Sequence, residues 1–349
     1  MKVLLVKLSA LGDVIMSLPV AMAIRRQRPE VWLDWVVEEP SAGILEGHPA
    51  LNRVLVSPRH QLQAGLNQGL PEAGAFLGRL RAVEYDWVVD LQGLMKSAIY
   101  VTLSRGRQKV GFRGGKEPLA AWALNRRLPP FDPDRHAVER YLDLLEPLGL
   151  ERPAQLEYGL IPTPAETARA RELLPGWDSE RPLILMHPVA KWESKLWPVA
   201  SWARLAQELA AAGAQMALCG SRADAGVGQA IADQAGVNGH LVDLCGRTSL
   251  RELAALMGQA RALAATDTGT MHLAAALGLP VVALFGPTAP WRTGPYGGRH
   301  RILRQNLTCS PCFKRECPDP RCLSGLEPGR VAAELRNILD QPQAGAPAR

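Results

Sequence analysis

The chain has 349 residues, of which 47% are hydrophobic and 21% charged, values typical of a folded globular protein and not of a disordered one. This length exceeds one ordinary core and predicts two domains. The N-terminal residues resemble a strand rather than a signal peptide. No apolar run reaches the roughly 18 residues that span a bilayer, so we expect a cytoplasmic protein. The net charge of +6 comes with no nucleic-acid-binding motif, so no nucleic-acid partner is expected.

Strand and helix signals alternate through the first half of the chain. Apolar runs at 2–8, 31–37 and 86–91 predict strands, and periodic segments predict helices at 13–28, 71–83 and 136–148. Such alternation predicts a mainly parallel sheet covered on both faces. We therefore expect residues 1–160 to form one Rossmann-like domain.

A proline-rich segment from Glu151 to Arg181 predicts a connection between domains. The alternation then restarts and predicts a second Rossmann-like domain at 181–340, with strands at 183–187, 215–219, 260–266 and 281–285, and helices at 199–212, 223–235, 250–258, 270–278 and 328–339. The predicted fold class is therefore α/β, with two tandem doubly wound domains whose ligands bind beyond the carboxyl ends of the strands. Residues 341–349 carry two prolines and no periodicity, which predicts a disordered tail.

The turn after the first strand, K-L-S-A-L-G-D from Lys7 to Asp13, is the first candidate site. It lacks the G-x-G-x-x-G pattern, which weakens a dehydrogenase interpretation. Asp13 stands where a helix begins, and aspartate is among the best N-cap residues. A carboxylate just beyond a strand can also act as a general base. The local sequence alone favours the cap.

A second candidate is A-A-T-D-T-G-T-M-H-L at 264–273, where a buried strand gives way to small hydroxylated residues and a helix. Backbone amides at a helix start form an anion site that suits a diphosphate. The alternative is an ordinary helix capped by Asp267 or Thr268 with His272 packed in its first turn, and this is slightly favoured when the segment is taken alone.

The loop at 187–198, which follows another predicted strand, carries Lys191 and Lys195. A lysine at this position can neutralise a departing diphosphate.

A basic segment runs from Lys96 to Arg127, with a single acid, Glu117, and eight cations: Lys96, Arg105, Arg107, Lys109, Arg113, Lys116, Arg126 and Arg127. This charge suits a phosphorylated or membrane-surface acceptor. A solvated face with snorkelling arginines explains the charge equally well.

Four cysteines cluster in a proline-rich loop with the spacing C-x2-C-x4-C-x4-C: Cys309, Cys312, Cys317 and Cys322. In a cytosolic chain such a cluster suggests a structural metal, usually zinc, more readily than disulfides, although the spacing is not that of a standard zinc finger. Cys219 and Cys245 follow predicted strands and are expected to be small core residues.

Taken in order, several motifs resemble those of the ADP-heptose lipopolysaccharide heptosyltransferases, glycosyltransferase family 9, over residues 1–340. They are K-L-S-A-L-G-D at 7–13, L-D-W-V-V-E-E at 33–39, D-L-Q-G-L-M-K-S-A at 90–98, K-E-P-L-A at 116–120, H-A-V-E-R at 136–140, S-K-L-W-P at 194–198, D-T-G-T-M-H-L-A-A-A-L-G at 267–278 and F-G-P-T at 285–288. The first-half motifs are most similar to heptosyltransferase I, which adds the first heptose to Kdo. The cysteine loop is more similar to heptosyltransferase II.

This resemblance implies a glycosyltransferase B-type fold, with the acceptor on the N-terminal domain and ADP-heptose on the C-terminal one. It implies Asp13 as general base, and an acceptor site formed by Lys7, Lys96, Lys116 and Arg140. The implied donor-binding residues are Lys195, Asp267, Thr268, Gly269, Thr270 and His272, with Asp224 as a further candidate at the ribose.

The implied reaction is a single displacement with inversion that requires no cofactor, because amides and a lysine replace a divalent ion at the diphosphate. The implied partners are ADP-heptose and an anionic, lipid-linked Kdo acceptor, which would bring the protein to the inner face of the cytoplasmic membrane. Three alternatives stay open at this point: transfer to the first heptose as in heptosyltransferase II, a sugar-nucleotide epimerase of the same fold, and a non-catalytic ADP-heptose-binding protein.

Overall fold

A computed structural model describes residues 1–64, 66–174 and 176–341 of the chain. The predicted disordered tail at 341–349 lies outside the described residues, except for Gln341. The chain divides into two compact units, Met1–Ile161 and Pro162–Arg349, called here the first and second units.

The first unit is built on a six-stranded sheet of order β3-β2-β1-β4-β5-β6, in which every pairing is parallel. Its strands are β1 (Lys2–Val6), β2 (Trp32–Glu38), β3 (Arg53–Ser57), β4 (Glu84–Asp90), β5 (Arg105–Phe112) and β6 (Arg126–Leu128). Its helices are α1 (Leu11–Gln27), α2 (Glu39–Ala42), α3 (Arg59–Ala64), α4 (Leu66–Arg81), α5 (Met95–Leu103) and α6 (Ala137–Leu142), with 3-10 helices at Gly43–Leu45, Pro118–Ala123 and Asp143–Leu148.

The second unit has a second parallel sheet of six strands, of order β12-β11-β10-β7-β8-β9. Its strands are β7 (Leu183–His187), β8 (Gln215–Leu218), β9 (Leu241–Asp243), β10 (Ala262–Thr266), β11 (Val281–Phe285) and β12 (Arg301–Arg304). Its helices are α7 (Pro164–Glu172), α8 (Val199–Ala211), α9 (Ala225–Ala235), α10 (Leu250–Met257), α11 (Gly269–Ala276), α12 (Pro290–Thr293), α13 (Arg321–Ser324) and α14 (Pro328–Leu339), with 3-10 helices at Glu193–Lys195 and Arg222–Asp224.

The central strands of both sheets are buried along nearly their whole length. In β1 only the first residue is exposed, and β7, β10 and β11 are buried throughout. Helices cover both faces of such strands, which is why their sequences are continuous apolar runs instead of alternating ones. The prediction of two doubly wound α/β halves is confirmed.

The segment predicted as a connection between domains, Glu151 to Arg181, contains the division between the two units, after Ile161, and also a helix that the sequence analysis did not predict. The helix, α7, begins at Pro164, and Thr163 caps it by accepting a hydrogen bond of 3.2 Å from the backbone N–H of Glu166. The side-chain carboxylate of Glu166 in turn accepts a hydrogen bond of 2.7 Å from the Thr163 N–H, which completes a capping box. The prolines that suggested a linker include the one that opens this helix, a position where proline is favoured.

Within the part of the chain that the structure describes, no helix combines the length and apolar character needed to cross a membrane.

Candidate active site

Asp13 lies in the first turn of α1, two residues beyond the helix start. The helix begins at Leu11 with Ala10 as its N-cap, so the interpretation of Asp13 as the N-cap is wrong. Asp13 occupies the third helical position instead, where its Oδ2 accepts a hydrogen bond of 3.3 Å from the Ala10 N–H. The second carboxylate oxygen of Asp13, Oδ1, faces Tyr141 and Lys7.

That second oxygen, Oδ1 of Asp13, accepts a hydrogen bond of 2.9 Å from the phenol of Tyr141. The ammonium of Lys7 donates to the same phenol oxygen at 2.7 Å and to the carbonyl of Leu91 at 3.1 Å, and it lies 3.9 Å from Asp13 Oδ1. Lys7 directly follows β1, whereas Tyr141 is on α6, which packs against α1. Three elements therefore fix the orientation of one carboxylate.

Burial governs the protonation of the groups around Asp13. It lowers the pKa of Lys7, and the nearby carboxylates of Asp13 and Asp90 oppose that shift. Burial, followed by the neighbouring Asp13 carboxylate, raises the pKa of Tyr141 well above its usual value. Because the phenol keeps its proton at neutral pH, Tyr141 is a hydrogen-bond donor to Asp13 and not a competing base.

A cavity of about 180 Å³ opens beside Asp13, and its lining includes Lys7, Lys116, Arg140 and Tyr141. The guanidinium of Arg140 lies 4.5 Å from the ring centroid of Phe131, another lining residue. The structure therefore brings the predicted general base and three of the four predicted acceptor-binding cations to one place. The lining carries three cations against two carboxylates, Asp13 and the buried Asp90, which suits an anionic molecule that presents a hydroxyl group.

The turn after β4 forms one wall of this cavity. Oδ1 of the buried Asp90 accepts hydrogen bonds from the backbone N–H groups of Gln92 and Gly93, at 2.9 and 3.0 Å. Gly93 has φ of +65°, a conformation that other residues rarely adopt. Burial raises the pKa of Asp90, and these backbone hydrogen bonds oppose the shift. Asp90 thus shapes the wall through the backbone of the turn.

Lys96, the fourth predicted acceptor-binding cation, has protein partners. Its ammonium donates to Oε1 of Glu38 at 3.1 Å and also to the hydroxyl of Ser9. Burial by itself raises the pKa of Glu38, but hydrogen bonds from Lys96 and Arg59 outweigh it, so the pKa is lowered. An acceptor anion would have to compete with a carboxylate for Lys96, whereas the exposed Lys116 has no ion-pair partner among the described residues.

In the second unit, Lys195 and Asp267 form an ion pair, with 2.6 Å between Nζ and Oδ2. The hydroxyl of Thr288 donates to the same oxygen at 2.6 Å. These residues follow β7, β10 and β11, which are neighbours in the sheet, so the pair lies beyond the carboxyl ends of three adjacent strands. The Lys195 ammonium also lies 4.4 Å from the ring centroid of Trp192. Lys195 is thereby held in a defined position.

Directly after Asp267, α11 begins with Thr268 as its N-cap and Gly269 as its first residue. The Thr268 side chain makes no capping hydrogen bond, and Thr270 and His272 are buried in the first turns. The hydroxyl of Thr270 lies 3.3 Å from Nε2 of His187. Burial lowers the pKa of His187 to about 4, so the ring is neutral at pH 7.

Asp224 ends a short 3-10 helix that follows β8. Its Oδ2 accepts hydrogen bonds from Ser221, at 2.7 Å from the N–H and 2.6 Å from the hydroxyl. The negative charge of Asp224 opposes the lowering of the His187 pKa. The local bonds of Asp224 are those of a capping box.

The cysteine loop contains four thiols that are exposed or half-buried, whereas Cys219 and Cys245 are buried as predicted. All six cysteines are free, and among the described residues no group of three or more His, Cys, Asp or Glu side chains is arranged to hold a metal ion. Burial raises the pKa of Cys322, and the neighbouring thiols of the loop add to the shift.

Sequence reasoning did not find three residues of these sites: Tyr141, His187 and Thr288. Tyr141 directly follows the motif H-A-V-E-R, and Thr288 is the last residue of the motif F-G-P-T, but neither residue was assigned a role. His187 ends a predicted strand, where side chains of a doubly wound sheet approach a ligand. A position at or just beyond the end of a strand is therefore the sequence signal that would have identified His187 and Thr288.

Comparisons with known proteins agree on one family. The family model for glycosyltransferase family 9 (heptosyltransferase) matches residues 74–322. Lipopolysaccharide heptosyltransferase 1 of Pseudomonas aeruginosa is 36% identical, with 98% of this chain and 99% of that protein covered. The protein of the same name from Escherichia coli K12 is 32% identical, with 87% of this chain and 93% of that protein covered.

Solved structures give the same result. The structure described as E. coli heptosyltransferase WaaC with ADP has a TM-score of 0.79 at 28% identity, covering 97% of this chain and all of that one. E. coli ADP-heptose lps heptosyltransferase II has a TM-score of 0.78 at 26% identity, covering 97% of this chain and 98% of that one. The chain belongs to glycosyltransferase family 9 and is a glycosyltransferase.

Proposed function

We propose that this enzyme transfers heptose from ADP-heptose to the Kdo region of the lipopolysaccharide inner core, with inversion at the anomeric carbon. The observation that carries the proposal is the Asp13 carboxylate, held by Tyr141 beside a cavity lined with cations. The relatives named lipopolysaccharide heptosyltransferase 1, and the similar structure solved with ADP, support the choice of donor and acceptor.

The acceptor-binding role is assigned to the first unit and centres on Lys7, Lys116 and Arg140. A Kdo sugar carries a carboxylate, which the two cations at the cavity wall, Lys116 and Arg140, can pair with, while Lys7 holds the phenol that supports the base. Arginine can bind a carboxylate through two parallel hydrogen bonds, and lysine binds it as a point charge. Lys96 belongs to this group only if the acceptor displaces Glu38.

The donor-binding role is assigned to the second unit. The ammonium of Lys195 supplies positive charge for the diphosphate, and the start of α11 at Thr268, Gly269 and Thr270 supplies backbone N–H groups. Asp267 is negative and cannot itself attract a diphosphate, so its role is to position Lys195. His272 and Asp224 are retained as candidates near the donor.

In the proposed reaction the acceptor hydroxyl oxygen attacks the anomeric carbon of the heptose. A new glycosidic C–O bond forms while the bond from that carbon to the β-phosphate oxygen breaks. The hydroxyl proton passes to the Asp13 carboxylate, and ADP departs with the electron pair of the broken bond. Lys195 and the N–H groups of α11 stabilise the charge that develops on ADP. Tyr141 keeps one carboxylate oxygen oriented throughout.

No residue role in this reaction calls for a cofactor. Zinc at Cys309, Cys312, Cys317 and Cys322 stays a prediction of the sequence, and it would organise the loop without taking part in transfer. Elemental analysis of protein purified without added metal tests it. About one zinc per chain is the expected result, and a trace amount would exclude the structural metal.

The remaining alternative acceptor is the first heptose, as in the relatives named heptosyltransferase 2, one of which is 29% identical. The Kdo acceptor is preferred because the relatives named heptosyltransferase 1 are more similar, at 36% and 32%. An epimerase or a non-catalytic binding protein finds no support, since the chain belongs to a glycosyltransferase family and retains Asp13.

Purified protein incubated with ADP-heptose and Kdo-lipid A tests the proposal directly. We expect a product that is heavier by one heptose in mass spectrometry, together with release of ADP. A parallel reaction with heptosylated Kdo-lipid A is the matched comparison. Product only in the parallel reaction would reassign the acceptor, and product in neither would contradict the proposed function. Anchorage at the inner face of the cytoplasmic membrane belongs to the same proposal, because the acceptor is a lipid.

A further inference from the structure

Two helices of the first unit bury their small side chains and expose their large ones. On α5, Ala98 and Val101 are fully buried, whereas Met95, Ile99 and Leu103 are exposed. The exposed residues are spaced four apart and so form one stripe along the helix. An ordinary surface helix of a globular protein turns its large apolar residues towards the core.

The neighbouring 3-10 helix, Pro118–Ala123, repeats the pattern. Ala120 and Ala123 are buried in the same core cluster as Ala98, whereas Leu119 is 76% exposed and Trp122 is 57% exposed. This helix packs against α5, and the N–H of Met95 donates a hydrogen bond of 2.6 Å to Glu117, just before it. Both helices turn their small side chains to one core, so their large apolar side chains form one surface on the side away from the sheet. We call these five residues the apolar ridge: Met95, Ile99, Leu103, Leu119 and Trp122.

Positive charge adjoins the apolar ridge. Strand β5 directly follows α5, and β6 directly follows the 3-10 helix, and both strands carry cations. Arg105 pairs with Glu84, but four further cations make no ion pair with any described residue: Arg107, Lys109, Arg126 and Arg127. Glu117, the only acid of the segment, accepts the hydrogen bond from Met95. Lys109 and Arg127 each donate a hydrogen bond to a backbone carbonyl, and Arg126 lies over the ring of Trp87, but these contacts do not neutralise the charge. A ridge beside cations that lack carboxylate partners is complementary to a surface that is apolar inside and anionic outside.

We propose that the apolar ridge docks this enzyme on an anionic lipid bilayer, with Leu119 and Trp122 entering the interface and the cations of β5 and β6 contacting lipid phosphates. Tryptophan favours the level of the lipid headgroups, and each cation near an anionic membrane contributes to binding.

The position of the ridge gives docking a consequence for the reaction. Leu94 and Lys116 line the cavity beside Asp13; Met95 of the ridge directly follows Leu94, and Leu119 is three residues after Lys116. A bilayer on the ridge therefore lies near the mouth of the acceptor cavity. Docking itself does not depend on the proposed function, since it requires only lipid.

The test is flotation of the full chain with vesicles that contain no sugar acceptor. We expect binding to vesicles of phosphatidylglycerol and phosphatidylcholine, loss of binding at high salt, and little binding to phosphatidylcholine alone. The double variant Leu119→Ser/Trp122→Ser should weaken binding by at least about tenfold, because two large apolar side chains no longer enter the interface. Arg107→Gln and Arg127→Gln should each weaken it by about fivefold.

Trp291→Ser is the matched control, since Trp291 is 47% exposed but belongs to the second unit. It should bind vesicles like the wild type. All substituted side chains are exposed, and unchanged thermal unfolding will verify that the variants fold. Absence of wild-type binding to anionic vesicles would overturn the proposal. So would wild-type binding by the double variant Leu119→Ser/Trp122→Ser, or an equal loss of binding in Trp291→Ser.

Self-association is the other outcome to examine. If the wild type forms dimers in sedimentation velocity that Leu119→Ser/Trp122→Ser abolishes, and does not bind vesicles, the occupant of the ridge is a second copy of this chain and the proposal is wrong. Because the vesicles carry no acceptor sugar, failure of docking and failure of heptose transfer are separate results.

Discussion

The phenol of Tyr141 donates a hydrogen bond of 2.9 Å to Oδ1 of Asp13 and in turn accepts one from Lys7. The two side chains come from helices far apart in sequence, so the carboxylate depends on the packing of α6 against α1. Tyr141 is on this account a positioning residue, acting on the reaction through Asp13.

Replacing Tyr141 by phenylalanine should lower kcat about tenfold, because one hydrogen bond contributes about 1 kcal/mol and the freed carboxylate samples other orientations. The KM for ADP-heptose should change little, since the residues proposed to bind the donor diphosphate belong to the second unit. Steady-state kinetics with each substrate varied checks both. A purely structural role would instead lower the melting temperature and leave kcat per folded enzyme unchanged.

Lys116→Ala should raise the acceptor KM about tenfold, because an exposed cation without an ion-pair partner among the described residues is available to an anionic acceptor. Lys96→Ala should have a smaller effect, since Lys96 already pairs with Glu38. Arg79→Ala, which removes another exposed cation of the first unit, is the control. An equal loss of ADP affinity in Lys116→Ala would refute the assignment of Lys116 to the acceptor.

Lys195→Met should weaken ADP binding by about 10- to 100-fold, measured by calorimetry, because a charged hydrogen bond to the diphosphate is lost. Lys191→Met is the matched control, since Lys191 is an exposed lysine of the same loop. Equal affinities for the two variants would show that the diphosphate binds elsewhere.

The sequence predicted the centre of each sheet and missed the edges. Strands β1, β7, β8, β10 and β11 are apolar over most of their length because both faces are covered, and β2 and β4 share the apolar sequence W-V-V. β5 has the sequence R-G-R-Q-K-V-G-F and is half exposed, β6 and β9 have three residues each, and β12 is R-I-L-R. The edge strand β3 was also missed, although its sequence R-V-L-V-S contains a short apolar run. These outer strands are short or partly exposed, so their pairing depends on a neighbour that local sequence does not reveal.

The same distinction applies to the site. Asp13, Lys195 and Asp267 follow predicted strands and were found from position and motif. Tyr141 is brought to Asp13 by the packing of α6 on α1, and Lys96 is paired with Glu38 across two elements. Such contacts arise from tertiary structure, and spacing along the chain carries no signal for them.

Stability should fall as the pH is lowered through the range set by His187. Burial lowers its folded-state pKa to about 4, against about 6.5 when unfolded. Between these values the unfolded chain binds a proton that the folded chain does not, so the free energy of unfolding decreases by up to about 1.4 kcal/mol per pH unit on acidification.

His187→Gln should flatten this pH dependence, measured by urea unfolding at several pH values. His60→Gln, at an exposed position, is the control and should leave the slope as in the wild type. A slope unaffected by His187→Gln would show that other groups cause the acid sensitivity.

The most direct measurement of the central claim is the turnover of Asp13→Asn with ADP-heptose and Kdo-lipid A. The single carbonyl oxygen of asparagine can keep the hydrogen bond from the Tyr141 phenol, whereas the bond from the Ala10 N–H to the other carboxylate oxygen is lost. The free energy of unfolding should therefore fall by only about 1 kcal/mol, and ADP affinity should be nearly unchanged. An amide cannot accept the hydroxyl proton, and loss of a general base commonly costs about 10² to 10⁴ in rate, so kcat should fall by that factor. A folded Asp13→Asn enzyme with near wild-type kcat would contradict the role of Asp13 as the base.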